Sequence, residues 1–153
     1  MLRERIQQSL RDAMKAKNPR AVSTLRLILA AIKDRDIAAR SGGDRDGVGD
    51  DEVMGVLQTM VKQRQESIRL YAQGGREDLA EAEAEETAII RGFLPEPMTA
   101  EETAAAVDAA VDELGAAGIK DMGRTMAHLR ERYAGRMDFA RAGALLKERL
   151  GGR

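Results

Sequence analysis

An all-α protein built of two helical units is predicted from three observations. Apolar residues recur at spacings of three and four along most of the chain. No segment alternates apolar and polar residues as a half-buried strand would. Two of the three prolines, Pro95 and Pro97, fall within residues 89–99, where each removes a backbone donor and disfavours helix at the residue before it. The same stretch gathers Ile89, Ile90, Phe93 and Leu94, so it reads as a packed elbow and not as a flexible linker, which would be rich in Gly and Ser. The expected units are residues 1–94, with four helices, and residues 95–153, with three.

The first helix covers residues 2–17, with Leu2, Ile6, Leu10, Ala13 and Met14 at helical spacing. Asn18-Pro19 ends it and opens the second, over residues 19–40, because proline is tolerated at a first helical position. Val22, Leu25, Ile28, Leu29 and Ile32 give this helix a wide apolar face and a central place. Residues 41–49 are a polar, glycine-rich connection. Asp44, Asp46 and Gly49 match positions one, three and six of a calcium-binding EF-hand loop. Val48 and Gly55 stand at positions five and twelve, so two ligands are missing and calcium is rejected.

Asp50 or Asp51 is expected to cap a third helix reaching residue 73, roughly 36 Å long at the usual rise. Its apolar positions, Val53, Val56, Leu57, Met60, Val61, Ile68, Tyr71 and Ala72, are interrupted at Arg64. Gly74-Gly75 stops it by allowing a left-handed turn, and an acidic fourth helix follows over residues 77–92. Beyond the elbow, Thr99 and Glu102 form a capping box for a fifth helix carrying Val107, Val111 and Leu114. Asp121 is expected to cap a sixth, with Met122, Met126, Leu129 and Tyr133 inward, which Gly135 ends. Asp138 caps a seventh, with Phe139, Ala142, Leu146 and Leu150 inward, and residues 151–153 should fray. The eight methionines fall mostly at core spacings and read as core.

Zero cysteines exclude disulfides, thiolate nucleophiles and Cys-based metal sites, and a single histidine excludes multi-His sites. No P-loop, dinucleotide fingerprint, HExxH or GxSxG occurs. His128 lies about 200° around its helix from Met126, so it is expected in solvent and not as a catalytic base. Glu81, Glu83, Glu85 and Glu86 read as a solvated face in preference to a hard-cation site. No catalytic residue, cofactor or metal is assigned. No apolar run spans a bilayer and residues 1–5 lack an apolar leader, so a cytoplasmic protein without membrane association is expected.

Charge is distributed unevenly. Residues 1–76 hold 15 Lys/Arg and 10 Asp/Glu, residues 77–119 hold 1 and 12, and residues 120–153 hold 9 and 4. Two basic ends around an acidic middle can orient a molecule on a polyanion, or the segments can neutralise one another within the fold. Arg124, His128 and Arg132 recur every four residues opposite the apolar stripe, with Lys120 before and Arg136 after. Together with Arg141 these cations form a candidate nucleic-acid contact, against the plainer reading of a solvated face paired with Glu131. Arg26, Lys33 and Arg40, and Lys62, Arg64 and Arg69, are weaker rows. Two Tyr, two Phe and no Trp argue against base stacking, leaving backbone and shape as the mode of any RNA recognition.

Residues 62–68 (KQRQESI), 71–80 (YAQGGREDLA), the Glu-rich helix and Phe93-Leu94-Pro95 together resemble YqeY-like proteins of the GatB/YqeY group. Residues 120–124, 135–138 and 145–150 are similar to the tail domain that ends the B subunit of the glutamine-dependent tRNA amidotransferase. The resemblance covers essentially the whole chain and implies a C-terminal unit related to a tRNA-contacting module. Lys120, Arg124 and Arg136 fall in the resembling stretch, whereas Arg132 and Arg141 come from spacing alone. Residues 126–130 depart from the small-residue pattern expected there.

The family label also implies carbon-nitrogen ligase activity with glutamine as amido-N-donor. That activity is not carried over, because it needs a kinase-like catalytic domain and a separate amidase subunit whose motifs are missing. The leading expectation is a non-catalytic accessory protein whose C-terminal unit binds tRNA, or an amidotransferase or aminoacyl-tRNA-related protein. A helical protein-interaction adaptor, docking a basic partner on its acidic middle, and a component of the amidotransferase itself are the alternatives.

Overall fold

The structure, a computed structural model, describes residues 1–43 and 47–151. Its elements are α1 (Leu2–Lys15), α2 (Pro19–Ser41), α3 (Asp50–Gln73), α4 (Glu77–Arg91), α5 (Ala100–Leu114), a 3-10 turn (Ile119–Asp121), α6 (Met122–Tyr133) and α7 (Phe139–Gly151). The fold is all-α, with no strand among the described residues. Asp44 and Asp46 of the calcium-loop comparison, and Gly152 and Arg153 of the fraying end, lie outside them. None of the described helices is long and apolar enough to cross a membrane.

The chain divides into two compact units, Met1–Pro95 and Glu96–Arg153, each with its own core. In the first, α3 pairs with α4 and α1 with α2. Ile6, Ile28, Ile32, Val53, Leu57 and Ile90 are almost wholly removed from water. Phe93 and Leu94 pack onto this core, so the chain leaving α4 is anchored by apolar contact.

Local rules account for most helix ends. Asn18 accepts the Ala21 N–H at 3.2 Å, Pro19 starts α2, and Lys17 takes a left-handed φ of 55° between α1 and α2. Gly75, at φ 75°, reverses the chain after α3. Asp50 departs from expectation. Gly49 is the N-cap of α3 without a side-chain bond, while Asp50 Oδ1 accepts the Leu2 N–H at 3.2 Å and so caps α1. A carboxylate in one helix's first turn serves whichever free amide packs beside it. Met14 is also half exposed, because the buried side of α1 is set by Leu2, Ile6 and Ala13.

In the second unit, α5, α6 and α7 close around Val107, Val111, Leu129, Met137, Leu146 and Leu150. The Thr99 hydroxyl accepts the Glu102 N–H and the Glu102 carboxylate accepts the Thr99 N–H, both at 3.0 Å. Gly115, at φ 61°, ends α5. Asp138 Oδ1 accepts the N–H groups of Ala140 and Arg141 at 3.1 and 3.2 Å, which starts α7. Asp121 makes no side-chain cap on α6. Its carboxylate accepts the N–H groups of Ala117 and Gly118 at 2.8 and 3.4 Å, holding the α5–α6 connection instead.

Candidate nucleic-acid interface

The five candidate cations all belong to the second unit but occupy different elements of it. Lys120 is exposed in the 3-10 turn, and Arg124 begins α6. Arg132 closes α6, roughly 12 Å further along the helix at the usual rise. Arg136 lies in the turn before α7, and Arg141 is exposed in the first turn of α7.

The α6 row does not stay on one face. Each four-residue step carries a side chain about 40° further round the helix, so Arg124, His128 and Arg132 wind from the solvent side toward α5. Arg124 is half exposed and donates from Nε to Asp121 Oδ1 at 3.2 Å. His128 Nε2 lies 3.2 Å from Glu113 Oε2, and its side chain is only 26% exposed. The expectation of a solvent-facing histidine is therefore corrected: Thr125 and Leu129 share the buried face with Met126, which swings its centre toward the His128 flank. Arg132 Nη1 reaches the same Glu113 carboxylate at 3.2 Å.

Arg136 is committed to the fold. Its Nε donates to the Glu96 carbonyl at 3.2 Å while its own carbonyl accepts the Met98 N–H at 2.9 Å, tying the start of the unit to the α6–α7 turn. Arg149, which spacing did not single out, pairs with Asp108 and lies 3.7 Å from Asp112 on α5. Arg130 stacks over Phe139 at 5.9 Å. Among the described residues, Lys120 and Arg141 have no ion pair.

Electrostatically, then, the basic end folds onto the acidic half that precedes it. Residues 96–153 hold nine Lys/Arg and ten Asp/Glu, a formal charge of −1. Glu113, Asp108 and Asp112 are the partners that reading along one helix at a time missed. The Ala117 N–H, then Arg124 and the Gly118 N–H, hold the Asp121 carboxyl below its usual range. The α5–α7 face carries a shallow cleft of about 260 Å³ lined by Ala104, Val107, Asp108, Leu145, Glu148 and Arg149. Among the described residues no three His, Asp or Glu side chains gather as a metal site. The arrangement is suited to surface contact.

Residues 3–150 match the family described as Yqey-like protein. The chain is similar to Altered inheritance of mitochondria protein 41, mitochondrial, of Clavispora lusitaniae, at 41% identity over 85 residues, covering 56% of this chain and 46% of that one. The protein of the same name from Eremothecium gossypii is 35% identical over 112 residues, covering 71% and 58%. An uncharacterized protein of Schizosaccharomyces pombe is 33% identical over 91 residues, covering 60% and 70%. The chain spans about half the length of the mitochondrial relatives it matches. Their names overturn the cytoplasmic expectation. That no described helix is long and apolar enough to cross a membrane does not assign a compartment.

Proposed function

The chain belongs to the YqeY-like protein family, and on that premise we propose that it is a non-catalytic accessory protein whose C-terminal unit binds tRNA along the phosphate backbone. The observation that carries the reading is that Lys120, Arg124 and Arg141 stay at the surface of the unit, whereas Arg136 and Arg149 are held by its own carbonyl and carboxylate groups. Lys120 and Arg141 are exposed without an ion pair among the described residues, and Arg124 is 51% exposed beside Asp121. An exposed pair of that kind is worth little and exchanges readily for a phosphate. Scarce aromatics and shallow surfaces favour recognition of backbone and shape.

Filter binding of tRNA across a salt series tests this with the variant K120E/R124E/R141E. Arg136 is left intact because it holds the fold. The expected result is salt-dependent binding that the triple variant weakens, with a slope shallower by about two to three. No binding at low salt, or an unchanged slope in the variant, would sink the reading.

One observation favours a second reading, a protein-interaction adaptor: the net charge of the unit is slightly negative despite its basic end. A complex that survives nuclease and high salt would support it.

A further inference from the structure

We infer that α2 of the N-terminal unit carries a separate RNA-backbone contact, a straight line of three cations formed by Arg26, Lys33 and Arg40. The identity of the polyanion as RNA rests on the functional reading above, but the surface lies in the other unit. Seven residues advance a helix about 20° short of two full turns, so the three side chains fall almost in line, about 10.5 Å apart and about 21 Å end to end. All three are exposed, and the buried residues of the helix, Thr24, Leu25, Ile28 and Ile32, lie on its other side.

What distinguishes this row is that none of its three cations is drawn into an ion pair among the described residues. Every other arginine of α2 has an acidic partner: Arg20 pairs with Glu85 of α4 at 2.9 Å and Arg35 with Glu52 of α3 at 3.4 Å. Among the described residues Arg26, Lys33 and Arg40 have no ion pair. Asp36, one turn before Arg40, feels the Arg40 charge through space but takes its hydrogen bonds from Arg3 and the Val48 N–H. Asp34, next to Lys33 in the chain, lies about 100° around the helix from it and lines the groove toward α3. Residues 1–95 hold 16 Lys/Arg and 16 Asp/Glu, and six of those acids are on α4. The unit is neutral overall and polarised by where its helices place charge.

The form of the row selects the partner. An acidic protein segment would also seat apolar side chains, and the apolar groove that α2 lines, with Ala31, Ala38, Val56 and Met60, is on the other flank. Lys33 and Ala31 are about 200° apart around the helix. A membrane surface would call for net positive charge and a continuous apolar band, whereas the unit is neutral and only Ile37 stands well exposed between Lys33 and Arg40. Evenly spaced cations without aromatics match a chain of phosphates.

The test uses the full chain and a tRNA probe in filter binding across a salt series, comparing wild type, R26E/K33E/R40E and K120E/R124E/R141E, with circular dichroism confirming equal helicity. R26Q/K33Q/R40Q, which only removes charge, serves if the reversal perturbs folding. The expected result for the α2 variant is a loss of about tenfold or more at low salt and a slope shallower by two to three. A wild-type slope in both α2 variants overturns the inference, as does equal binding of duplex DNA of the same length. Loss confined to the α2 variant upholds it and removes the C-terminal reading. Loss confined to the C-terminal variant does the reverse, and no wild-type binding at low salt overturns both.

Discussion

Asp36 receives both ends of the Arg3 guanidinium, Nη1 to Oδ2 at 2.8 Å and Nη2 to Oδ1 at 3.0 Å, a bidentate pair between α1 and α2. The same groups hold the chain as it enters α3. Asp36 Oδ1 also accepts the Val48 N–H at 2.9 Å, and Arg3 Nη2 donates to the Val48 carbonyl at 3.1 Å. Gly47 completes the clasp at φ 88°, with space for a Cβ limited to 3.2 Å by both Arg3 and Asp36.

Asp36→Asn is expected to destabilise the protein by about 2 kcal/mol at pH 7, the scale of a hydrogen-bonded charge pair that is mostly sheltered. The Arg3 guanidinium, then the Val48 N–H, hold the Asp36 carboxyl below its usual range. A lowered folded value means that the stabilisation is complete above the unfolded carboxylate's value and is lost as pH falls through the folded one. Urea unfolding at neutral and acid pH checks this, since the deficit of the Asn variant should shrink in acid. Gly47→Ala should cost about 1 kcal/mol or more from its left-handed backbone alone.

Glu83→Gln is expected to act in the opposite direction. Burial, then the charge of Glu86, push the Glu83 carboxyl up, while Arg64 opposes them. Arg64 is itself largely buried: its Nη1 donates to the Met60 carbonyl at 3.4 Å, while its Nε, 3.7 Å from Glu86, has no hydrogen-bond partner among the described residues. A raised folded value makes ionised Glu83 a cost that is present at neutral pH and absent below the unfolded value. The Gln variant should therefore melt a few degrees higher at pH 7, by about 2–4 °C for a gain near 1 kcal/mol or less, with the difference fading in acid. An unchanged or lower melting temperature at pH 7 would refute it.

Glu113→Gln releases His128 and Arg132 from their shared carboxylate. The exposed pairs are worth at most about 1 kcal/mol, so stability should move little. Binding of tRNA at low salt should tighten, with a slope steeper by about one for the freed arginine. Weaker binding in this variant would count against a role for the α5–α6 side.

Capping and core packing should separate cleanly in the second unit. Thr99→Ala removes the cap of α5 and should cost about 1 kcal/mol. Leu146→Ala, at a fully buried site in the three-helix core, should cost about 2–5 kcal/mol. Denaturant midpoints of the full chain test both, and a Leu146→Ala effect no larger than that of Thr99→Ala would contradict the assigned core.

Where an element's start or stop depends on residues within a few positions, it was legible in the chain. Asn18-Pro19, Gly75, the Thr99–Glu102 box and Asp138 act as their residue types require, because each bond closes between near neighbours. Asp50 and Asp121 show where that stops. Both have the composition of a cap on the following helix, yet their carboxylates turn to α1 and to the preceding loop, choices that depend on which free amides packing brings near.

By itself, then, the amino-acid sequence determined the helices, most of their ends and the apolar faces that form the two cores, since helical period and capping are short-range properties. Only the tertiary structure decided which charges remain for a partner. Arg132 and His128 were taken by Glu113, Arg149 by Asp108, and Arg136 by the Glu96 carbonyl, while Arg26, Lys33 and Arg40 have no ion pair among the described residues. Acid and base meet across helices 15 to 41 residues apart in the chain. Spacing along one helix carries no record of such pairings, because Coulomb attraction depends on distance in space.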